Sequence, residues 1–259
     1  MMNYLRRSPA MTGILLLALA AISSGAAFAV DVSDGPQILE RIDEIRRFSG
    51  DDFASVLTLI SEDPDEGVEK QVVQQFRRDD DEMFLMLIQE PTTMLGQGYL
   101  RVEDNLWFYD PESRNFNRTS MKEQFSGSDA RNSDFGASSY AEDYEVTAIA
   151  EAQLGRYDVY ILDLKARHNE VTYPTERVWV TRDLYLPLKV EDYSETGRLM
   201  RTTLIPNYAR AGDTYVATSI ILNDELIPGK RTRITLTDIS VAPLSDSIFT
   251  KSYVERVNR

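Results

Sequence analysis

No cysteine occurs in these 259 residues, and there is a single histidine. The first absence removes disulfides, thiolate nucleophiles and cysteine-built zinc sites together. It also removes lipid attachment at a signal cleavage site, which in bacterial lipoproteins requires a cysteine. The second absence narrows catalysis. A Ser-His-Asp triad would have to use His168, yet no G-x-S-x-G elbow accompanies it and it sits in the polar stretch Arg167-His168-Asn169-Glu170. It reads as a solvated side chain. No glycine-rich loop is present to cradle a phosphate. Basic residues are scarce as well, with 28 Lys and Arg against 42 Asp and Glu and a formal net charge of −14. Such a chain repels phosphate backbones, which excludes nucleic acid as a natural partner. No cofactor is implied, and no enzyme activity is expected.

Long apolar runs are also missing. The longest, over 13–22 (GILLLALAAI), is too short to span a bilayer as a helix. Its surroundings give it another meaning. Arg6 and Arg7 precede it, and Ala27-Phe28-Ala29 follows as a small-x-small cleavage site, so residues 1–29 read as a signal peptide that is removed. The expected mature protein, 30–259, is one domain with no permanent membrane anchor, exported to the periplasm. Loss of the two arginines takes its formal charge from −14 to −16.

What is present begins with one amphipathic helix. Ser33 and Asp34 can cap it, Ile38, Leu39, Ile42, Ile45 and Phe48 form its apolar stripe, and Gly50 can end it. Beyond Gly50 the pattern changes to strands divided by turn chemistry. Strands are expected over 55–60, 69–78, 83–88, 98–102, 106–109 and 115–119. They resume over 144–152, 157–165, 176–180, 188–193, 200–205, 215–222 and 232–239. Between the two sets, 120–143 interrupts the pattern, with short helices expected over 120–125 and 138–143. A last short helix is expected after Asp246, using Ile248, Phe249, Tyr253 and Val254. Closely spaced hairpins make an antiparallel meander. The fold class expected is mainly β with a few helices, a single strongly curved antiparallel sheet forming an unclosed half-barrel. The first helix and the 120–143 insertion are the available covers for its apolar side.

Several short motifs occur in a particular order. Leu106-Trp107-Phe108-Tyr109-Asp110-Pro111 is followed by Phe125-Ser126-Gly127-Ser128-Asp129 and Ser133-Asp134-Phe135. Then come Leu186-Pro187-Leu188-Lys189-Val190-Glu191, Gly197-Arg198-Leu199 and Phe249-Thr250-Lys251-Ser252-Tyr253. With the signal peptide and amphipathic first helix, this order resembles the LolA-like periplasmic outer-membrane lipoprotein-sorting proteins, in particular their larger members. The resemblance implies an unclosed barrel capped by helices, with an apolar cavity for the acyl chains of a lipoprotein or a lipid. It also implies dealings with an inner-membrane transporter complex.

Candidate site residues follow from alternation. In MFLMLI, Phe84, Met86 and Ile88 face one side and Met83, Leu85 and Leu87 the other. Phe84, Met86 and Ile88, with Leu106 and Phe108 of the next hairpin and Ile38, Ile42 and Ile45 of the first helix, are the candidate cavity lining. Methionine suits variable acyl shapes because it is flexible and polarizable. The plainer alternative for each is ordinary core packing. Asp51-Asp52 and the run 79–82 can bind calcium or act as acid and base in principle, but lack the EF-hand pattern and read as solvated turns. The expected function is a periplasmic carrier or chaperone for lipoprotein acyl chains or lipids. The alternatives are an accessory interaction subunit of an envelope lipid transporter, or an extracytoplasmic hydrolase using carboxylates.

Overall fold

Residues 31–257 are described by the computed structural model of the chain; the expected signal peptide lies outside the described residues. The first helix, α1 (Gly35–Arg46), has Pro36 in its first turn, where a missing N–H costs nothing. The expected capping differs in detail. Asp31 accepts the Ser33 N–H at the start of a short 3₁₀ turn over Val32–Asp34, and Asp34 makes no side-chain cap for α1. Ile38, Leu39 and Ile42 are buried and Ile45 is half-buried. Gly35 permits a close approach, since a Cβ there would lie 2.6 Å from the Cβ of Val146.

Instead of continuing to Gly50, α1 stops at Arg46, and Arg47 is extended. The backbone beyond it is held from elsewhere. The Phe48 N–H donates to Asp79 Oδ2 (3.1 Å), and Thr214 Oγ1 donates to the Arg47 carbonyl (3.0 Å). Phe48 therefore leaves the helical stripe and stacks on Phe53, with ring centroids 4.4 Å apart.

Thirteen strands follow. The first six are β1 (Phe53–Asp63), β2 (Gly67–Arg78), β3 (Met83–Glu90), β4 (Gly98–Val102), β5 (Asn105–Asp110) and β6 (Asn115–Thr119). The remaining seven are β7 (Tyr144–Leu154), β8 (Tyr157–Ala166), β9 (Thr175–Thr181), β10 (Pro187–Tyr193), β11 (Leu199–Ala211), β12 (Thr214–Asp224) and β13 (Arg231–Ser240). All pair antiparallel in one sheet of order β6-β5-β4-β3-β2-β1-β13-β12-β11-β10-β9-β8-β7. The β1–β13 pairing joins the two meanders. It leaves β6 and β7, neighbours in sequence, at the two free edges, and the sheet is not closed into a barrel. The segment between them must therefore cross the open side. That topological demand explains why 120–143 is a cover and not a hairpin.

The cover differs from expectation in its local form. Residues 120–125 are turns and not a helix, tied back by a bridge between Gln124 and Arg131. Ser120 Oγ accepts the Lys122 N–H, a local bond that competes with helix formation. A 3₁₀ turn occupies Asn132–Phe135, and α2 (Tyr140–Asp143) forms where a short helix is expected. At the C-terminus a 3₁₀ turn over Asp246–Phe249 precedes α3 (Lys251–Val257).

Candidate functional site

Register fixes which side chains share the inner face. On the first meander, Leu57, Val73 and Ile88 lie in line across β1, β2 and β3, as do Ser55, Gln75, Met86, Tyr99 and Phe108 from β1 to β5. Phe84, Arg101 and Leu106 form the next row. The alternation expected for β3 is observed. Phe84, Met86 and Ile88 join one buried cluster, while Leu85 and Leu87 join another on the outer face. Leu106 is buried in the inner cluster and Phe108 packs against it half-buried. Ile38 and Ile42 of α1 belong to a separate inner cluster, with Leu162, Leu164, Val178, Val180 and Val190 of the second meander. The eight candidate residues are thus not one lining. Two apolar fields share the inner face, one under the 120–136 segment and one under α1 and α2.

Both fields are covered and filled. Phe125 and Phe135 of the crossing segment insert into the first, with Phe125 4.6 Å from the Tyr99 ring and 4.8 Å from Phe135. Polar side chains of the sheet grip the segment by its backbone. Gln71 Nε2 donates to the Ser126 carbonyl (2.9 Å) and Gln75 Nε2 to the Phe135 carbonyl (3.2 Å). The Ser126 N–H donates to the Tyr99 hydroxyl (3.1 Å), and the Asp129 N–H to Thr232 Oγ1 (3.1 Å). Over the second field, Asp43 of α1 accepts from the Tyr140 and Ala141 N–H groups (2.9 and 2.8 Å) and from Ser138 Oγ (2.6 Å). This carboxylate at the start of α2 ties the two covers together.

Between the fields lies a group of residues absent from the sequence-based candidates. Glu176 of β9, Asp192 of β10 and Arg201 of β11 lie in line on the inner face. Arg201 Nε donates to Asp192 Oδ2 (2.6 Å), and its two terminal nitrogens donate to Asp134 Oδ2 and Oδ1 (2.7 and 3.1 Å). The guanidinium also lies 5.0 Å from the Tyr173 ring centroid. Asp134 belongs to the crossing segment, not the sheet, so the cover is latched through a bidentate ion pair.

Glu176 is half-buried as a residue, with its Oε2 shielded from solvent. Its Oε1 is 2.6 Å from the Tyr144 hydroxyl, which lies 3.0 Å from the Tyr173 carbonyl. A phenol has one hydrogen, and a carbonyl can only accept. Both contacts are satisfied together when Tyr144 donates to the carbonyl and Glu176 carries a proton that it donates to Tyr144. Burial, then the neighbouring charge of Asp192, push Glu176 up from 4.5 to about 8. Burial also raises Asp192, against the pull of Arg201. Glu176 Oε2 and Asp192 Oδ1 have no hydrogen-bond partner among the described residues. The sequence did hold a signal for this group. Glu176, Asp192 and Arg201 share strand parity with the buried Val178, Val190 and Thr203.

Two open spaces are present near these faces among the described residues. A small one of about 50 Å³ reaches Arg201 from the surface, between Gln124, Asp129, Arg131, Tyr173, Met200, Asp224 and Leu226. A groove of about 520 Å³ runs along the outer face, lined by Gln74, Phe76, Leu87, Gln89, Leu95, Gly96, Pro111, Tyr253 and Val257. Neither space is lined by Phe84, Met86, Ile88, Leu106 or Phe108. Aromatic side chains from the cover pack beside Phe84, Met86 and Ile88.

The acidic turns are solvated at Asp51, Asp80, Asp81 and Glu82, as expected, but Asp52 and Asp79 are buried and structural. Asp79, 2 % exposed, accepts from Arg77 Nε and Nη2 (3.0 and 2.7 Å) as well as from the Phe48 N–H. Asp52 pairs with Arg78 and accepts the Leu244 N–H (2.6 Å), and Arg78 holds its carboxyl below the usual range. No group of three or more metal-ligating side chains occurs among the described residues. His168 is half exposed in the turn after β8, 3.2 Å from Asp143. No helix among the described residues is long and apolar enough to cross a membrane.

The chain resembles known proteins in both sequence and shape. A family model described only as that of an uncharacterized protein matches residues 80–256. A search of the curated proteins finds no match. Among solved structures, a LolA superfamily protein from Nitrosomonas europaea is 28% identical, with a TM-score of 0.73 over 84% of this chain and 97% of that one. A domain from Vibrio parahaemolyticus, described as an outer-membrane lipoprotein-sorting protein, is 21% identical with a TM-score of 0.78. It covers 87% of this chain and 100% of its own. A DUF1329 family protein from Desulfovibrio piger is 21% identical with a TM-score of 0.76, over 86% of this chain and 98% of that one. The open antiparallel sheet, the helix and crossing segment over its inner face, and these likenesses agree: the chain has the LolA-like fold and belongs to the family whose model matches residues 80–256.

Proposed function

We propose that this protein is a periplasmic carrier that binds the acyl chains of lipoproteins or lipids on the inner face of its sheet and passes them toward the outer membrane. One observation carries the reading. The apolar inner face is closed by pieces that do not belong to the sheet: α1, α2 and a crossing segment held by two aromatic rings and a few polar grips. A cover of this kind can be exchanged for a guest of similar apolar character. Each methylene buried by the guest contributes about 0.8 kcal/mol, which sets an acyl chain against the rings it displaces. Binding and release, not bond making, are then the whole mechanism. Phe84, Met86, Ile88, Leu106 and Phe108 would line the exposed surface under the crossing segment, and Ile38, Ile42 and Ile45 would move with α1. The expected export signal at 1–29 and the absence of cysteine support a mobile protein, not one anchored by its own lipid.

The test is uptake. Protein is incubated with vesicles carrying a radiolabelled acylated peptide or phospholipid, and the vesicles are removed. Label retained by the protein, with faster hydrogen exchange in 120–136, supports the carrier. Unlabelled protein with unchanged exchange refutes it.

A second reading has its own observation. The inner face is filled in this conformation, while a groove of mixed polarity lies open on the outer face, with Leu95 51% and Val257 45% exposed at its edge. An accessory subunit that docks an envelope transporter by that groove would look the same at rest. Such a protein takes up no lipid in the same assay.

A further inference from the structure

We propose that Arg201 is the headgroup site for an anionic amphiphile, and that Asp134 of the crossing segment occupies this site while cargo is absent. The inference rests on the carrier reading above and gives its cargo a chemistry. Arg201 lies between the two apolar fields, on the strand that separates Leu222 of the first from Val190 of the second. A bound amphiphile would thus place its charged end at Arg201 and its chains to either side. Asp192 holds Arg201 Nε from the adjacent strand and stays with the sheet when the cover lifts. The two terminal nitrogens face Asp134 alone, in the forked geometry that fits a carboxylate or a phosphate equally.

Charge balance points the same way. With Glu176 donating to Tyr144, the charges bonded to one another here are one guanidinium and two carboxylates, the buried Asp192 and the partly exposed Asp134. Removing Asp134 and admitting a singly charged oxyanion leaves that balance unchanged. A neutral or cationic headgroup would leave Arg201 with an unfilled fork in a buried site, which is costly. The opening of about 50 Å³ between Gln124, Arg131, Met200 and Leu226 ends at Arg201, so the guanidinium can be reached from the surface beside the cover. Arg131 also lines that opening and adds a second cationic side chain beside it. The overall charge of −14 works against anionic ligands, so a preference for one must arise at this site.

The experiment compares uptake from vesicles of digalactosyldiacylglycerol, whose headgroup bears no oxyanion, and of the same lipid mixed equally with dioleoylphosphatidylglycerol, read by native mass spectrometry after the vesicles are removed. The expected result is preferential capture of phosphatidylglycerol, roughly tenfold, as a charge-assisted bond at a buried site gives. D134N should widen the preference by vacating the fork. R201Q combined with D134N and D192N, which leaves no unpaired charge, should remove it while circular dichroism stays native. Equal capture of both lipids would overturn the headgroup assignment and leave the carrier standing. Capture of neither would overturn both. Millimolar inorganic phosphate is expected not to raise the melting temperature. A rise matching that given by phosphatidylglycerol would make this a free-anion site and overturn the proposal.

Discussion

Replacing Glu176 with glutamine should stabilise the protein at alkaline pH and leave it unchanged in acid. In the unfolded chain Glu176 loses its proton near 4.5, whereas in the folded protein it keeps it to about 8. Between those values the folded state binds more protons than the unfolded one, so stability falls as pH rises and levels off above about 8. Each unit of displacement corresponds to about 1.4 kcal/mol, so the full loss is on the order of 5 kcal/mol. Desolvation of the carboxylate is the main cause, with Asp192 on the next strand adding repulsion and Arg201 offsetting part of it. Glutamine removes the titration. Its amide can still donate to the Tyr144 hydroxyl, which keeps its own bond to the Tyr173 carbonyl. Urea unfolding of both proteins at pH 5 and pH 8.5 measures the effect. The E176Q advantage should be near zero at pH 5 and several kcal/mol at pH 8.5. An advantage of the same size at both pH values, or a loss at both, would refute a protonated Glu176.

Other substitutions test the covers and clamps. Phe125→Ala empties a fully buried ring position and should cost about 3–5 kcal/mol, with hydrogen exchange accelerating first in 120–136; acceleration spread evenly over the sheet would contradict a separable cover. Asp79→Asn leaves the Arg77 guanidinium without its carboxylate and should cost about 3 kcal/mol in thermal unfolding, whereas a solvated turn would give almost none. Gly35→Ala adds helix propensity, yet its Cβ would meet Val146 at 2.6 Å. Overpacking of about 1–3 kcal/mol should outweigh the gain, and a stabilised variant would show that α1 does not lie tightly on β7.

The sheet was legible in the sequence because strand alternation and turn residues are local. All thirteen strands lie where their patterns put them, and the two faces of β3 separate as Phe84, Met86 and Ile88 against Leu85 and Leu87. The crossing of 120–143 was legible as an interruption. Its conformation was not, since Gln71, Gln75 and Tyr99 hold its backbone from strands distant in sequence. The end of α1 failed for the same reason. Phe48 continues the apolar spacing, but bonds from Asp79 and Thr214 draw its neighbourhood off the helix. Acidic turns look alike whether solvated or clamped, and only the three-dimensional partners Arg77 and Arg78 distinguish them. The inward-facing Glu176, Asp192 and Arg201 escape a pattern-based reading because polar residues on strands are expected to face water. Their parity with buried valines carried the information.

The most direct measurement is native mass spectrometry of the mature protein purified from its own envelope, followed by organic extraction. A carrier retains a lipid or acylated peptide as added mass, and the extracted molecule bears an acyl chain. Protein that emerges free of ligand and takes up none from its own membranes would contradict the central claim.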